Sequence, residues 1–358
     1  IWECSECEAY QVIGGREELG QKASAGFERL EGRSPHRPWV DEVVLPCSEC
    51  GAEMRRIRDV GNPWLDAGIV PFSTLHYRTD PEYWGKWFPA DFVTESFPGQ
   101  FRNWFYSMLA MGTVLRNEPP FKSLFGYATL YGEDGRPMHK SWGNAIEFNE
   151  AAERMGVDVM RWMYASARPE DNILFGYHTA DEARRELLVL WNVLAFFTTY
   201  ARLDDWSPGR DVVGEQDADP DRRLLDRWIL SRAASMAEEA GWHMDAYDTR
   251  GATRAISAFV DDLSTWWLRR SRRRLSRAED AADQDAAFGT LHLGLVSVAR
   301  TIAPLLPFLA EEFHRVLVSP VQAEAPESVH LTKWPTADLA GLRDEPLERA
   351  MADLRRAV

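Results

Sequence analysis

All four cysteines of this 358-residue chain fall in two pairs, Cys4-x-x-Cys7 and Cys47-x-x-Cys50, the second followed by Gly51. Each pair can form a tight knuckle that presents two thiolates to one ion, and two knuckles complete a tetrahedral zinc site. Residues 8–46 between the pairs exceed the usual zinc-ribbon gap; Gly14-Gly15 and a short helical stretch near 16–30 fill that excess as an insertion. A redox dithiol and secreted disulfides are the competing readings. Two separate pairs with no other cysteine, and no secretion signal, weigh against both. A zinc-ribbon-like module over residues 1–58 is expected, with Cys4, Cys7, Cys47 and Cys50 as structural ligands. A closed four-thiolate set leaves no position for catalysis.

The chemistry points instead to the stretch Gly135-Arg136-Pro137-Met138-His139-Lys140-Ser141-Trp142-Gly143-Asn144. An apolar, strand-like run at 124–130 leads into it, and a helix beginning near Glu147 follows. Permissive backbone plus a lysine at the end of a strand is a way to hold a phosphate chain. A solvated surface loop is the alternative. Upstream, Asp91-Phe92-Val93-Thr94-Glu95 reads as a short strand ending in a turn at Pro98-Gly99. A helix with apolar positions Trp104, Phe105, Met108, Leu109 and Leu115 comes next. Strand, helix, strand, loop, helix is the rhythm of a parallel α/β sheet, whose ligands gather at the carboxyl ends of the strands. Glu95 and the loop at 139–141 both lie at such ends, which assigns them to one site.

From Thr179 the periodicity becomes helical throughout. Thr179-Ala180-Asp181-Glu182 fits a capping box, and Leu187, Leu190, Trp191, Leu194 and Phe197 follow with helical spacing. Further amphipathic stretches run over 221–241, 245–274 and 283–303, and a helix resumes after Pro307. Only Val329-His330-Leu331 is strand-like, and a Gly- and Asp-rich linker spans 207–219. A helical bundle is expected. No run of eighteen apolar residues exists, so no membrane span is expected. The net charge of −15 argues mildly against a nucleic-acid partner. The run 269–277 nevertheless places six arginines in nine residues. It is either a solvated face paired with acidic neighbours or a local phosphate-binding stripe.

Together these segments resemble a class I aminoacyl-tRNA synthetase of the isoleucyl family. The loop is a degenerate Lys-Met-Ser-Lys-Ser signature: Met138, Lys140 and Ser141 match, Pro137 stands where the first lysine belongs, and His139 replaces the first serine. Trp64-Leu65-Asp66-Ala67-Gly68 is similar to the Trp-Phe-Asp-Ser-Gly segment where the editing insertion returns to the catalytic fold. Residues 88–95, then Gln100, Arg102, Trp104 and Phe105, resemble the family's Glu-Gly-x-Asp-Gln-x-x-Gly-Trp-Phe region. That match has one extra residue in the turn, no aspartate, and Asn103 in place of a glycine. Residues 262–274 are close to the isoleucyl Asp-Leu-Ser-Asn-Trp-Tyr-x-Arg-Arg-Ser-Arg, and residues 303–312 and 327–331 also fit. The His-Ile-Gly-His half of the nucleotide fold and most of the editing domain have no counterpart. A partial chain that begins inside a longer protein, inactive alone, is therefore expected.

The resemblance implies an α/β fold, the second half of a Rossmann-like class I synthetase domain, followed by an all-α helical bundle and preceded by the zinc-ribbon-like module. It implies three domains: 1–58, zinc module; 59–178, second half of the catalytic domain; 179–358, anticodon-binding bundle. The implied reaction is ATP-dependent ligation of isoleucine to tRNA(Ile) through an aminoacyl-adenylate. Lys140, Ser141 and His139 are then the catalytic loop residues. Glu95, Gln100, Met138 and Lys140 contact ATP or the adenylate, and Trp104 packs on the isoleucine side chain. Arg269, Arg270, Arg272, Arg273 and Arg274 meet the tRNA. Implied cofactors are ATP, Mg2+ with the ATP, and structural Zn2+; the expected protein is a cytoplasmic monomer without a membrane partner. A valyl-type synthetase and a non-catalytic tRNA-binding paralogue are the alternatives.

Overall fold

The computed structural model describes residues 1–59, 61–139, 142–208 and 222–357. They form two compact units: residues 1–93 with 99–124, and residues 94–98 with 125–358.

The first unit opens on strands β1 (Trp2–Cys4), β2 (Tyr10–Gln11), β3 (Val44–Pro46) and β4 (Glu53–Arg56), in the antiparallel order β2-β1-β4-β3. Met54 pairs with Cys4 on one side and Leu45 on the other. One face of this small sheet buries Trp2, Leu45 and Met54 with Leu19, Leu30 and Val43 of the insertion. The Trp2 indole donates to the Val43 carbonyl at 2.9 Å. The expected helical stretch at 16–30 is helix α1 (Arg16–Lys22) followed by a 3-10 turn, Phe27–Leu30. Gly26 breaks it: its φ is +80°, and a Cβ there would sit 2.1 Å from the Glu42 carbonyl oxygen. Only glycine fits that approach.

Short helices α2 (Pro63–Gly68), α3 (Val70–Ser73) and α4 (Pro81–Trp87) follow. The Asn62 and Asp80 side chains cap α2 and α4 by accepting from Trp64 N and Tyr83 N, each with proline at the first helical position. Strand β5 (Ala90–Ser96) and the turn of helix α5 (Phe97–Gln100) come next, then α6 (Trp104–Arg116). Strand β6 (Phe121–Tyr127) pairs with β5. Val93, Phe105 and Met108 form a local core. Helix α2 lies so close to α6 that a Cβ on Gly68 would fall 2.7 Å from Ser107.

In the second unit, β7 (Leu130–Gly132) runs parallel to β8 (Ile173–Phe175), with α7 (Phe148–Met155) and α8 (Val157–Ser166) between them in sequence. Glu147 caps α7, as its position predicts. The strand expected over 124–130 is thus two strands in two separate sheets. Its middle is diverted: Ala128 N bonds to Pro169 O, and Thr129 N and Oγ1 both bond to the Asn172 side chain. Helix α9 spans Tyr177–Leu203. The expected capping box does not form, because the helix starts two residues before Thr179, at a glycine N-cap, and the Glu133 carboxylate supplies the acceptor instead.

The bundle continues as α10 (Leu224–Asp245), α11 (Thr249–Asp261), a π-helical segment Asp262–Leu268, α12 (Arg269–Ser276), α13 (Ala281–Ile302) and α14 (Pro307–Leu317). Val329–Leu331 is a 3-10 turn, not a strand: Ser328 caps it, and Val329 is buried against the bundle. Two short turns of helix, α15 (Thr336–Leu339) among them, lead to α16 (Glu345–Ala357). Trp228, Trp267, Phe259, Phe288 and Phe313 are fully buried at the centre. Most of the expected linker at 207–219 lies outside the described residues. By packing, the two compact units meet in sequence near residue 124. Arg161 of α8 donates to the Leu305 and Pro304 carbonyls, and Asp158 accepts from Leu309 N, which ties the α7–α8 segment into the bundle. No described helix is long and apolar enough to cross a membrane.

Candidate functional site

The two cysteine pairs converge at one end of the first sheet. Cys4 and Cys47 leave β1 and β3, and each is followed by the same turn: Glu8 N bonds to Cys4 O, and Gly51 N to Cys47 O. Glu8 and Gly51, at equivalent positions, both adopt positive φ. The four sulfurs lie within 4.8 Å of one another, with Cys4 to Cys50 at 3.5 Å and Cys7 to Cys47 at 3.6 Å. Those separations are far longer than a disulfide bond of about 2.05 Å. They approach the edge of about 3.8 Å that a tetrahedral ion with metal–sulfur bonds of about 2.3 Å requires. The crowded thiols perturb one another in opposite directions. Backbone N–H groups of Cys50 and Glu49 lower Cys47 to about 7. Cys7 is pushed up to about 12 by the neighbouring Cys50 and Cys47 thiols, against the lowering influence of the Ala9 N–H. Four crowded thiolates need a positive charge at their centre, and the donor set fits one metal ion.

The loop following β7 is built as a closed turn. Gly135 N bonds to Gly132 O, Gly132 N bonds to Arg136 O, and Tyr131 bridges Pro137. Beyond it, the Asn144 side chain clasps the loop: its Oδ1 accepts from His139 N at 2.8 Å and its Nδ2 donates to Pro137 O at 3.0 Å. Trp142 N bonds to His139 O, and the two rings lie 5.2 Å apart. His139 is exposed and Met138 is half-buried against the bundle core. Lys140 and Ser141 lie outside the described residues. Asn144 belongs to the stretch singled out in the sequence, which did not show its clasp on the loop; Glu133 is the contributor that motif reading passed over.

Glu95, next to last in β5, lies in the same unit. Its carboxylate accepts from Ser96 N at 2.7 Å and from the Tyr127 hydroxyl at 2.9 Å, and these two bonds hold it below the usual carboxylate range. Burial, with the Glu95 carboxylate adding to it, pushes the Tyr127 phenol up. Beside this pair opens a mainly apolar cavity of about 700 Å³ lined by Ser96, Phe125, Tyr127, Tyr164, Ile173 and Met244. Gln100 and Trp104 belong to the other unit. There the Gln100 Oε1 accepts from Trp104 N, and the half-buried Trp104 indole donates to Ala67 O at 3.0 Å. The structure therefore places Glu95 with the loop in one body, and Gln100 and Trp104 together in the other.

The arginine run divides sharply. Arg274 donates to both oxygens of the fully buried Asp226 at 2.8 Å and also pairs with Asp283. Burial pulls its pKa down, but the hydrogen bonds to the two aspartates hold it above the ordinary arginine value. It is a structural group, which corrects its expected assignment to the tRNA surface. Arg273 is exposed and pairs with Glu279. Arg270 stacks over Trp266, 3.2 Å from the ring centroid, and Arg272 lies 5.4 Å from the Phe196 centroid. Arg269 and Arg272 edge a groove of about 550 Å³ that also contains Asn192, Phe196, Ser264 and Leu268. The π-helical segment Asp262–Leu268 inserts between α11 and α12 and shifts the helix register, so that Trp267 and Arg274 turn inward while Arg269 and Arg272 face α9.

Comparison with known proteins agrees with this architecture. Residues 15–175 match the tRNA synthetases class I (I, L, M and V), and residues 226–358 match the anticodon-binding domain of tRNA ligase. A ternary complex of an Agrobacterium radiobacter LeuRS superposes on 97% of the chain and 41% of its own length, with TM-score 0.60 and 18% identity. A methionyl-tRNA synthetase of Mycobacterium tuberculosis covers 82% of the chain and 58% of its own length, with TM-score 0.58 and 20% identity. The chain belongs to the class I tRNA synthetases and has their α/β catalytic fold followed by a helical anticodon-binding domain. Within that class it is similar end to end to isoleucine–tRNA ligases. Identity is 40% with that of Thermus thermophilus and 37% with that of Streptomyces coelicolor, over the whole chain in both cases. The chain spans about a third of the length of these relatives, 34% and 33%.

Proposed function

We propose that this chain works as part of an isoleucine–tRNA ligase, which joins isoleucine to ATP as an aminoacyl-adenylate and passes the acyl group to tRNA(Ile). The observation that carries the reading is 40% identity to an isoleucine–tRNA ligase along the entire chain. In this reading residues 1–58 are a zinc-stabilised module, 59–178 the second half of the catalytic domain and 179–358 the tRNA-binding bundle. The isoleucine carboxylate attacks the α-phosphate, the bond to the β-phosphate breaks, and pyrophosphate leaves. A terminal ribose hydroxyl of the tRNA then attacks the acyl carbon and releases AMP. Negative charge grows toward the leaving pyrophosphate, so a cation poised there stabilises the transition state more than the ground state.

Lys140 is proposed as that cation, with Ser141 and His139 as hydrogen-bond donors beside it and Met138 at the loop base. Mg2+ enters with the ATP and shares the phosphate charge. Glu95, held anionic by Ser96 and Tyr127, is proposed to receive a positive or hydrogen-bonding group of the adenylate, with Gln100. Trp104 is proposed as an apolar wall of the isoleucine pocket. Cys4, Cys7, Cys47 and Cys50 hold a structural Zn2+. Arg269, Arg270, Arg272 and Arg273 meet tRNA phosphates first, with base contacts supplying specificity afterwards. A cytoplasmic monomer completes the reading.

The test is amino-acid-dependent ATP–pyrophosphate exchange in the full-length protein. Isoleucine supports exchange with a higher kcat/KM than valine, and Lys140→Ala lowers kcat by roughly 100-fold, as loss of one preorganised charge-stabilising group does. Preference for valine establishes the valyl alternative. Binding of tRNA without any exchange establishes a non-catalytic paralogue.

A further inference from the structure

Glu133 stands in the turn between β7 and the nucleotide loop, and its side chain is committed to a distant element. Its Oε1 accepts from Thr179 N at 2.7 Å and from Thr179 Oγ1 at 3.1 Å. Thr179 is the third residue of α9, so its N–H is one of those a helix start leaves without an internal partner. The N-cap Gly176 has no side chain to satisfy it. A carboxylate there is also favoured by the positive end of the helix dipole.

Gly176 makes the approach possible. A Cβ on it would fall 2.2 Å from Glu133 Cδ and Cγ, so the carboxylate lies directly against the glycine backbone. The φ of Gly176 is 177°, an extended value open to any residue. What the site uses is the missing side chain. The parallel register of β7 and β8, Gly132 opposite Phe175, brings the two segments side by side and delivers Glu133 to the first turn of α9.

The turn holding Glu133 is hydrogen-bonded to the loop it begins. Gly132 pairs with Arg136, Tyr131 bridges Pro137, and Asn144 clasps Pro137 and His139. A displacement of Glu133 is therefore passed along this closed turn to His139. Roughly four to five turns farther along, the 27-residue α9, about 40 Å long, carries Asn192 and Phe196 of the arginine-edged groove.

We propose that Glu133 is a positioning residue for the nucleotide loop: its carboxylate pins the loop base to the first turn of α9 and so sets where the loop meets the ATP phosphates. The proposal rests on the ligase reading above. Glu133 touches no substrate in this scheme and acts through the loop.

The experiment is isoleucine-dependent pyrophosphate exchange in the full-length protein, with thermal melting in parallel. Glu133→Ala lowers kcat by between about 10- and 100-fold, the scale of a catalytic group displaced by about an ångström, with KM for isoleucine within about twofold of wild type. Glu133→Gln keeps the acceptor oxygen and recovers most of the loss. Gly176→Ala, which pushes the carboxylate off from the other side, lowers kcat in the wild-type background and has no further effect beside Glu133→Ala. A Glu133→Ala protein that melts lower yet keeps its kcat overturns the proposal, because Glu133 is then a helix cap alone. So does multiplication of the two losses in the double variant. Should Glu133→Ala fail to fold, Gly176→Ala decides alone: unchanged kcat overturns the proposal. A wild-type protein without exchange activity overturns the ligase reading itself, whereas an active wild type with an indifferent Glu133→Ala overturns only this inference.

Discussion

Replacing Asp226 by alanine tests how the bundle handles its buried charge. Asp226 is fully buried and accepts three hydrogen bonds, one from the Trp267 indole at 2.8 Å and two from Arg274 at 2.8 Å. Breaking a buried ion pair by removing one partner costs about 3–5 kcal/mol, because the remaining charge is left without compensation. Arg274 retains Asp283 at 3.0 Å, and Asp283 also pairs with Arg223, so the lower end, about 3 kcal/mol, applies. The Trp267 indole N–H is left unpaired in a ring that is itself fully buried, which adds about 1–3 kcal/mol. The expected loss is about 4–6 kcal/mol. At about 2–4 °C per kcal/mol for a unit of this size, that corresponds to a fall in Tm of roughly 10–20 °C. Urea denaturation and thermal melting followed by circular dichroism read it directly. Asp226→Asn keeps an acceptor for Trp267 and costs less. Asp226→Leu combined with Arg274→Met replaces both charges with apolar volume and recovers much of the loss. An Asp226→Ala protein within about 1 kcal/mol of wild type refutes the reasoning, as does a double variant no more stable than the single.

Three further outcomes follow from particular side chains. Chelation of the metal unfolds the first module, because its core is small and includes two of the four cysteines, Cys4 and Cys47, and metal analysis of gently purified protein gives one zinc per chain; Cys47→Ser abolishes that stoichiometry. Burial raises the Glu348 carboxyl, but hydrogen bonds from Ser231, Ser235 and Arg232 outweigh it and hold the group below the usual range. A depressed folded-state pKa gives stability that is present above the unfolded value of about 4.3 and is lost as pH falls through the folded value. Protection factors of the α16 amides, taken relative to intrinsic exchange at each pH, therefore fall as acid is added below that point, and Glu348→Gln removes this pH dependence; an unchanged profile rejects it. Arg269→Ala with Arg272→Ala weakens tRNA binding without a change in Tm. The slope of log affinity against log salt falls by about 0.7–0.9 for each phosphate that is no longer neutralised, as titrations at several salt concentrations report. Arg274→Ala gives the opposite pattern, a large fall in Tm.

Local chemistry made several features legible. The Cys-x-x-Cys spacing places two thiolates on one turn, and the structure brings both turns together. Glu147 at the start of α7 and the apolar spacing of α6 are visible because caps and helical faces are written within one or two turns of chain. The same locality misled at Thr179. Its capping-box pattern is real, but parallel pairing of β7 with β8 starts the helix earlier, and a carboxylate 46 residues away takes the acceptor role. Val329-His330-Leu331 alternates like a strand, yet no described strand lies beside it, so Ser328 and the bundle surface fold it as a 3-10 turn.

The sequence by itself determined the organisation of this protein: a four-cysteine module, an α/β segment with a lysine-bearing loop, and a helical bundle. Those are set by residue identity at short spacing, where each local hydrogen bond or thiolate pair is encoded by its neighbours. Only the tertiary structure decided which members of a uniform motif do what. Five arginines of the 269–274 run are alike on the page, but one π-helical segment and one buried aspartate 48 residues upstream divert Arg274 into the core. Likewise Glu133 is an ordinary turn residue until Gly176 lies against it. A charge's role depends on what it faces across the fold, and that partner is chosen by packing between distant segments, which local spacing does not encode.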